Sequence, residues 1–508
     1  MSIGFLAATS EVSLWPLAVL VISVTFVVLM ISVVRAHAFL ALILAAILAG
    51  VLAEQLPGAK PRVPKPDSPV VGTDGKPLRN HWVQAVELTS VEFGRTAGGI
   101  AIVIGLATII SMCLMESGAA DKVVRRFIAF FGEKNAGVAL LLSTYILSVP
   151  IFFDTMFMLM VPLARALRLR TGKDYLLYVM AVCCGGVITH SMTVPHPGPL
   201  AMVENLKIDV GVSILAGILV GLFPLLVGWF VCKWLNARMD VPMRETPGTT
   251  LAELRSIVDK PESELPSFFW AITPVVLPIF LISLSSFMII GKDNDTFVKL
   301  LGGRESFVST FAAIEFIGNK NVALLIGTLV SMFVLARQKG FSVAKICELI
   351  GPPLETSGTI ILITAAGGAF GLMLRNAGVG EAIKAAASGH ALNMIWLSYL
   401  VAVVIRVAQG SATVAMLTTS AMMYPIISGG GALPYDPIYI FLAIGFGGFA
   451  LSWMNDSGFW VVSKLGGLTE GETLKTWSVL LTVSSVVGVL ATWILSMLIP
   501  FPLGKPGP

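Results

Sequence analysis

Long apolar runs separated by short polar punctuation fill most of this 508-residue chain. Leu14–Val34, Ala38–Ala53, Gly211–Val231, Phe268–Ile290 and Trp477–Pro500 are near-continuous apolar segments. Most are long enough to cross a hydrocarbon core as a helix. The length rule predicts roughly ten full spans with shorter broken pieces between them. Four segments interrupt the pattern: "VPIFFDT" (149–155), "THSMTVPHPGP" (189–199), "RVAQGSAT" (406–413) and "SWMNDSG" (452–458). In hydrocarbon an unanswered backbone N–H or C=O is costly, so irregular backbone persists only where protein buries it or where it lines a wet cavity. Each interruption therefore predicts a cavity. Pro150, Pro195, Pro197 and Pro199 lack N–H donors and stop helices, while Gly198, Gly410 and Gly458 permit turns and close backbone approach.

Composition makes lipid the solvent for most of this surface: 56% of residues are hydrophobic and 13% charged, against about 25% charged in a soluble domain. Basic clusters orient the chain. Lys122/Arg125/Arg126/Lys134, Arg165/Arg168/Arg170/Lys173, Lys233/Arg238/Arg244/Arg255/Lys260 and Arg337/Lys339/Lys345 are assigned to the cytoplasm. The N-terminus, the C-terminus and "SGGGALPYDP" (428–437) are then outside. The Pro-rich loop 57–86 also falls outside although it carries five basic residues, a conflict with a bias that weakens in longer loops. The first apolar run follows Glu11 with no basic residue before it, which argues against a secretory signal peptide. The net charge of +4 fits loop bias and implies no nucleic-acid partner.

The chain reads as two halves. "NARMDVPMRETPGTTLAELRSIVDKPESELP" (236–266) is a polar cytoplasmic linker, with a short amphipathic helix expected at Leu251–Val258. It separates a transmembrane half at 1–235 from another at 267–508. "SGAADKVV" (117–124) matches "AGVGEAIK" (377–384), and "GGVITHS" (185–191) matches "GGFALSW" (447–453), at offsets near half the chain. Two broken segments follow in the same order in each half. The loop charges put the matched pieces on opposite membrane faces, the mark of an inverted-topology repeat. The fold class expected is an all-α polytopic membrane protein of two inverted repeats, with re-entrant hairpins and broken transmembrane helices.

Chemistry gathers at the breaks. Freed amides and half-helix N-termini attract an anion, and neutral polar side chains suit hydroxyls. Substrate contacts are expected at Thr189, Ser191, Gly198, Gln409, Gly410, Ser411, Thr413, Asn455 and Ser457. Arg406, inside an apolar run, either binds a substrate carboxylate or pairs with an acid on another helix. Asp154, His190 and Asp456 are the proton-coupling candidates, with helix capping the competing role for both aspartates. His196 lies between prolines and shapes the turn; Glu116 and Arg375 read as surface charges. The five cysteines have no zinc-type spacing and read as small hydrophobes. Walker, His-Glu-x-x-His and Gly-x-Ser-x-Gly patterns are absent. No metal, cofactor or catalytic residue is expected, and an ion gradient is left as the energy source. An intramembrane hydrolase built on Ser and His near 190 has no need of breaks matched across two halves.

The stretches "MESGAADKVVRRFIAFFGEKNA" (115–136), "PIFFDTMFMLMVPLA" (150–164), "THSMTVPHPGPLAM" (189–202), "IGNKNVALLIG" (317–327), "RVAQGSATVAMLTT" (406–419) and "NDSGFWVVSKLGGLTEGETLKTW" (455–477) resemble the gluconate permease family of bacterial sugar-acid:proton symporters, within the ion transporter superfamily. The resemblance implies a multi-pass inner-membrane carrier importing gluconate or a related hydroxy acid with protons; the partners expected are the carboxylate substrate, the coupling ion, the lipid bilayer and a second copy of the chain in a homo-oligomer. A sodium-coupled carrier of an organic or amino acid is the alternative. "SMTVPHPGP" departs from the family's form at Met192 and Thr193, and the 57–86 loop is longer, so substrate identity stays open.

Overall fold

Polar residues at the ends of the apolar runs set the helix boundaries. The computed structural model describes residues 15–62, 71, 77–244, 261–292, 304–379, 382, 393–429, 433–454 and 456–500; the expected helix Leu251–Val258 and the candidate Asn455 lie outside them. The elements are α1 (Trp15–Ser32), α2 (Ala38–Leu52), α3 (His81–Glu116), α4 (Ala119–Phe131), α5 (Ala136–Leu147), α6 (Phe153–Thr171), α7 (Tyr175–Met192), α8 (Pro197–Leu206) and α9 (Val210–Arg238). After the linker come α10 (Phe268–Gly291), α11 (Arg304–Ile317), α12 (Lys320–Lys339), α13 (Val343–Asn376), α14 (Met394–Gln409), α15 (Ala412–Gly429), α16 (Ile438–Gly448), α17 (Ser457–Leu465) and α18 (Glu470–Leu498). Asn80 caps α3 by accepting from Trp82 N at 2.9 Å, Asp209 caps α9 through Val212 N at 2.9 Å, and Asn393 caps α14 through Ile395 N at 3.0 Å.

Seven helices among the described residues are long and apolar enough to cross a membrane, and four shorter apolar ones, in α1, α2, α14 and α16, accompany them. Against the roughly ten full spans expected, the described residues hold seven, one of them formed by α7 and α8 together, and the shorter apolar helices adjoin the interruptions or the chain's first segments. The described residues contain no strand, only isolated bridges of Ala59 with Arg79 and Val71 with Pro77 in the Pro-rich loop.

The long helices α3 and α13 pack together antiparallel, Thr108 Oγ1 meeting Ser357 Oγ at 2.6 Å and Thr96 lying against Gly368. Helix α2 covers α13, and α12 covers α3. The broken segments form two further groups. In the first, α7 packs between α5 and α9; in the second, α16 packs between α14 and α18. A Cβ on Gly185 would run into Thr144 Oγ1 and the Leu141 carbonyl of α5, and one on Gly186 would lie 3.1 Å from the Phe153 ring of α6. Gly447 and Gly448 do the same in the second group: their Cβ atoms would lie 2.7 Å from Tyr399 O of α14 and 2.7 Å from Met416 Cγ of α15. The two glycine pairs aligned by sequence therefore make the same close approach in each half. Gly118 and Gly378, aligned by the other match, follow α3 and α13 with φ of +75° and +79°, a conformation that favours glycine.

Gly185→Ala and Gly447→Ala are each expected to lower the thermal midpoint of the purified protein, at a cost of about 1–3 kcal/mol of overpacking. Gly94→Ala, where nothing lies within 4 Å of the added carbon, should cost nothing. Equal midpoints for all three variants would contradict the close packing.

Candidate functional site

Each interruption is a real break. Residues 148–152 separate α5 from α6, 193–196 separate α7 from α8, 410–411 separate α14 from α15, and 449–456 separate α16 from α17. Pro197 opens α8 at a position where its missing N–H loses no helical bond. Gly410 ends α14 with φ +77°. A helix that stops inside the protein leaves its last carbonyls without partners, and side chains supply them. Thr189 Oγ1 donates to Tyr145 O at 2.8 Å, and His196 Nε2 lies 2.5 Å from Ser148 O. A carbonyl only accepts, so that imidazole nitrogen carries the proton. In the second half Trp453 Nε1 donates to Val407 O at 3.1 Å, Ser485 Oγ to Phe446 O at 2.7 Å, and Arg406 to Gly410 O.

All four breaks reach one cavity of about 320 Å³. Its wall carries the N-terminal turns of four half-helices: Phe153 and Asp154 of α6, Pro197 of α8, Ala412 to Val414 of α15, and Ser457 with Gly458 of α17. Helix N-termini present partial positive charge and unpaired amides. Hydroxyls of Ser191, Ser411, Thr413 and Ser457 belong to the same lining, with His190, Arg406 and Asp456.

The charged groups are not equivalent. Arg406 and Asp456 are both buried and form an ion pair. Asp456 also accepts from Ser452 Oγ and from Gly458 N at 3.0 Å, so it caps α17 as well. Ser452 is held by Trp477 Nε1 at 2.6 Å, and the Trp477 ring lies 5.2 Å from that of Phe153. Asp154, in the first turn of α6, lines the cavity and makes no ion pair within 4 Å among the described residues. His190 also lines it, its ring 4.3 Å from that of His196.

Ser191, Arg406, Ser411, Thr413, Ser457, Asp154, His190 and Asp456, all singled out from sequence, are brought together on this wall. Thr189, Gly198 and Gly410 are not: Thr189 closes the Tyr145 carbonyl, Gly198 makes room for Met416, and Gly410 turns the chain. Their service is to the breaks themselves. Gln409 is the last residue of α14. Sequence reasoning passed over Ser452, Trp477 and Phe152. Nothing in "LKTWSVLL" distinguishes Trp477 from a core residue; a π-helical turn at Leu474–Ser478 turns it to the cavity.

A family model described as GntP family permease matches residues 82–498, which include all four breaks. The gluconate permease of Zymomonas mobilis is 34% identical over 402 residues, covering 79% of this chain and 85% of its own. That of Pseudomonas aeruginosa is 32% identical over 410 residues, covering 80% and 86%. The Gnt-II system L-idonate transporter of Escherichia coli is 31% identical over 397 residues, covering 78% and 85%. Among solved structures, the YdaH transporter of Alcanivorax borkumensis superimposes with a TM-score of 0.56 over 92% of this chain and 98% of that one, at 14% identity, so the fold is shared. The family match over most of the chain, the membrane-length helices and a cavity walled by four broken helices converge: the chain belongs to the GntP permease family and is a multi-pass membrane permease, not an enzyme.

Proposed function

We propose that this permease imports gluconate or a closely related sugar acid across the bacterial inner membrane by proton symport. The observation that carries the reading is Asp154: a carboxyl with no ion pair among the described residues, on the wall of a cavity whose other polar lining is helix N-termini, hydroxyls, His190 and a neutralised Arg406–Asp456 pair, set among apolar side chains. An anionic substrate is drawn by the helix ends but repelled by an ionised Asp154. Protonation removes that charge and turns one carboxyl oxygen into a donor. Proton and anion therefore enter together. The sugar hydroxyls meet Ser411, Thr413 and Ser457. Ser191 Oγ, His190 Nδ1 and Arg406 Nε are buried without a partner among the described residues, and buried polar atoms call for one; a polyhydroxylated acid offers several. The relatives named as gluconate permeases support the substrate class. Matched order and matched glycine contacts in the two halves support inverted repeats that rock about the cavity to expose it alternately.

Asp154→Asn is expected to abolish accumulation of gluconate driven by an imposed pH gradient in proteoliposomes, while exchange of internal for external substrate persists. Full accumulation by this variant would refute the coupling role. A sodium gradient imposed without a pH gradient is expected to drive no accumulation; if it does, sodium is the coupling ion. Arg406→Gln strands Asp456 in a buried site, which costs about 3–5 kcal/mol. Arg406→Gln/Asp456→Asn should recover most of the lost thermal midpoint. A double variant no more stable than Arg406→Gln would show that the guanidinium acts on something other than this carboxylate.

A further inference from the structure

A second polar crevice lies along the same seam as the central cavity. Both are lined by α8, α13 and α15: Pro197, Ile363 and Val414 at the cavity, Glu204, Gly371 and Ala421 at the crevice. At about 1.5 Å of rise per residue the two are about 10–12 Å apart along each helix. Between them the seam is shut by the close contact of Gly367 with Leu417, and at the crevice itself Gly371 lies against Ala421. The crevice holds about 80 Å³. It is small beside the central cavity of about 320 Å³.

Its charge is unbalanced. Glu204 is taken by Lys320, and Glu92 has Arg95 at 3.8 Å. Lys207 and Arg375, which also line the crevice, make no ion pair within 4 Å among the described residues. Lys207 ends α8 with φ +55°, and the Arg375 guanidinium lies 5.2 Å from the Tyr424 ring centroid. Arg95, Lys207 and Arg375 against Glu92 and Glu204 leave the lining with one positive charge in excess, and the Glu92 carboxylate also interacts electrostatically with Lys207 and Arg375. Thr96 and Asn205 add neutral hydrogen-bonding groups. The crevice sits toward the N-terminal end of α3 and the C-terminal end of α13. The opposite ends of both helices adjoin the basic stretches 122–134 and 337–345, which favour the cytoplasm, so the crevice faces outside.

We propose that this crevice is an outer recruitment site for the carboxylate of the anionic substrate, with Lys207 and Arg375 as its cationic anchors, at the mouth of the seam that leads to the central cavity. This inference rests on the sugar-acid reading above. The lining carries three cations against two carboxylates; a cleft of net positive charge between low-dielectric walls concentrates anions and speeds their arrival, an effect that salt suppresses. Neither residue belongs to the central site, so neutralising them should weaken capture and leave translocation intact.

The test is initial-rate uptake of radiolabelled gluconate by intact cells lacking other gluconate permeases. Ionic strength is set with choline chloride against sorbitol, and rates are normalised to the amount of permease in the membrane. Raising ionic strength from about 10 mM to about 200 mM, which shrinks the screening length severalfold, should raise the wild-type KM severalfold. Lys207→Gln/Arg375→Gln should raise KM about five- to tenfold at low ionic strength, keep Vmax within about twofold, and flatten the salt response. Arg375→Lys should restore the wild-type KM when Lys207 is present. A wild-type KM indifferent to salt overturns the proposal, as does a double variant with unchanged KM and salt response. A fall confined to Vmax also overturns it and assigns the crevice to movement of the seam. Wild-type cells that take up no gluconate refute the parent reading instead.

Discussion

A backbone interrupted inside hydrocarbon must have its freed N–H and C=O groups answered by the protein itself, and the arrangement of this permease depends on how that is done. At the first pair of breaks the acceptors are closed by Thr189 and His196; at the second pair they are closed by Trp453, Ser485 and Arg406. The Thr189, His196 and Trp453 bonds cross from one broken segment to another, while Arg406 closes a carbonyl of its own break and Ser485 reaches in from α18. Each break is therefore held in place by its neighbour, and the four half-helix N-termini stay aimed at a common space. The site is a consequence of closing the C-terminal carbonyls while the N-terminal turns face the cavity, two of them partly capped, α17 by Asp456 and α15 by Ser411.

The same economy governs charge. A lone ion in a low-dielectric interior is expensive, and a paired one much less so. Arg406 and Asp456 neutralise one another, and Asp456 is tied further by Ser452 and the α17 amide. Asp154 is left as the one carboxyl of the cavity wall without a cation beside it among the described residues. That asymmetry, one acid paired and one not, distinguishes the two aspartates more sharply than residue type does.

Close packing links the two halves to each other and to the long helices. Gly185 and Gly447 let α7 and α16 lie directly on the backbones of α5 and α14. Gly367 and Gly371 do the same for α13 against α15. Surfaces without protruding side chains can slide or part with few rotamer changes, which is the property an alternating-access seam requires. The cationic crevice at the end of that seam is built from α3, α8, α13 and α15. It takes shape only because these distant segments meet.

The sequence by itself determined the membrane setting, the helices and the four breaks, because apolar length and misplaced Pro, Gly and polar residues act locally. The half-chain matches at Gly118/Gly378 and Gly185/Gly447 were legible for the same reason: a left-handed turn or a backbone approach demands glycine wherever it occurs. Partnership was not legible. Whether Arg406 met a ligand or an acid, whether Thr189 faced a cavity or a carbonyl, and whether Trp477 was core or wall were decided by packing across tens to hundreds of residues. The seam between α13 and α15 was likewise set by tertiary structure. Local chemistry states what a residue can offer; which group receives it depends on where the chain returns.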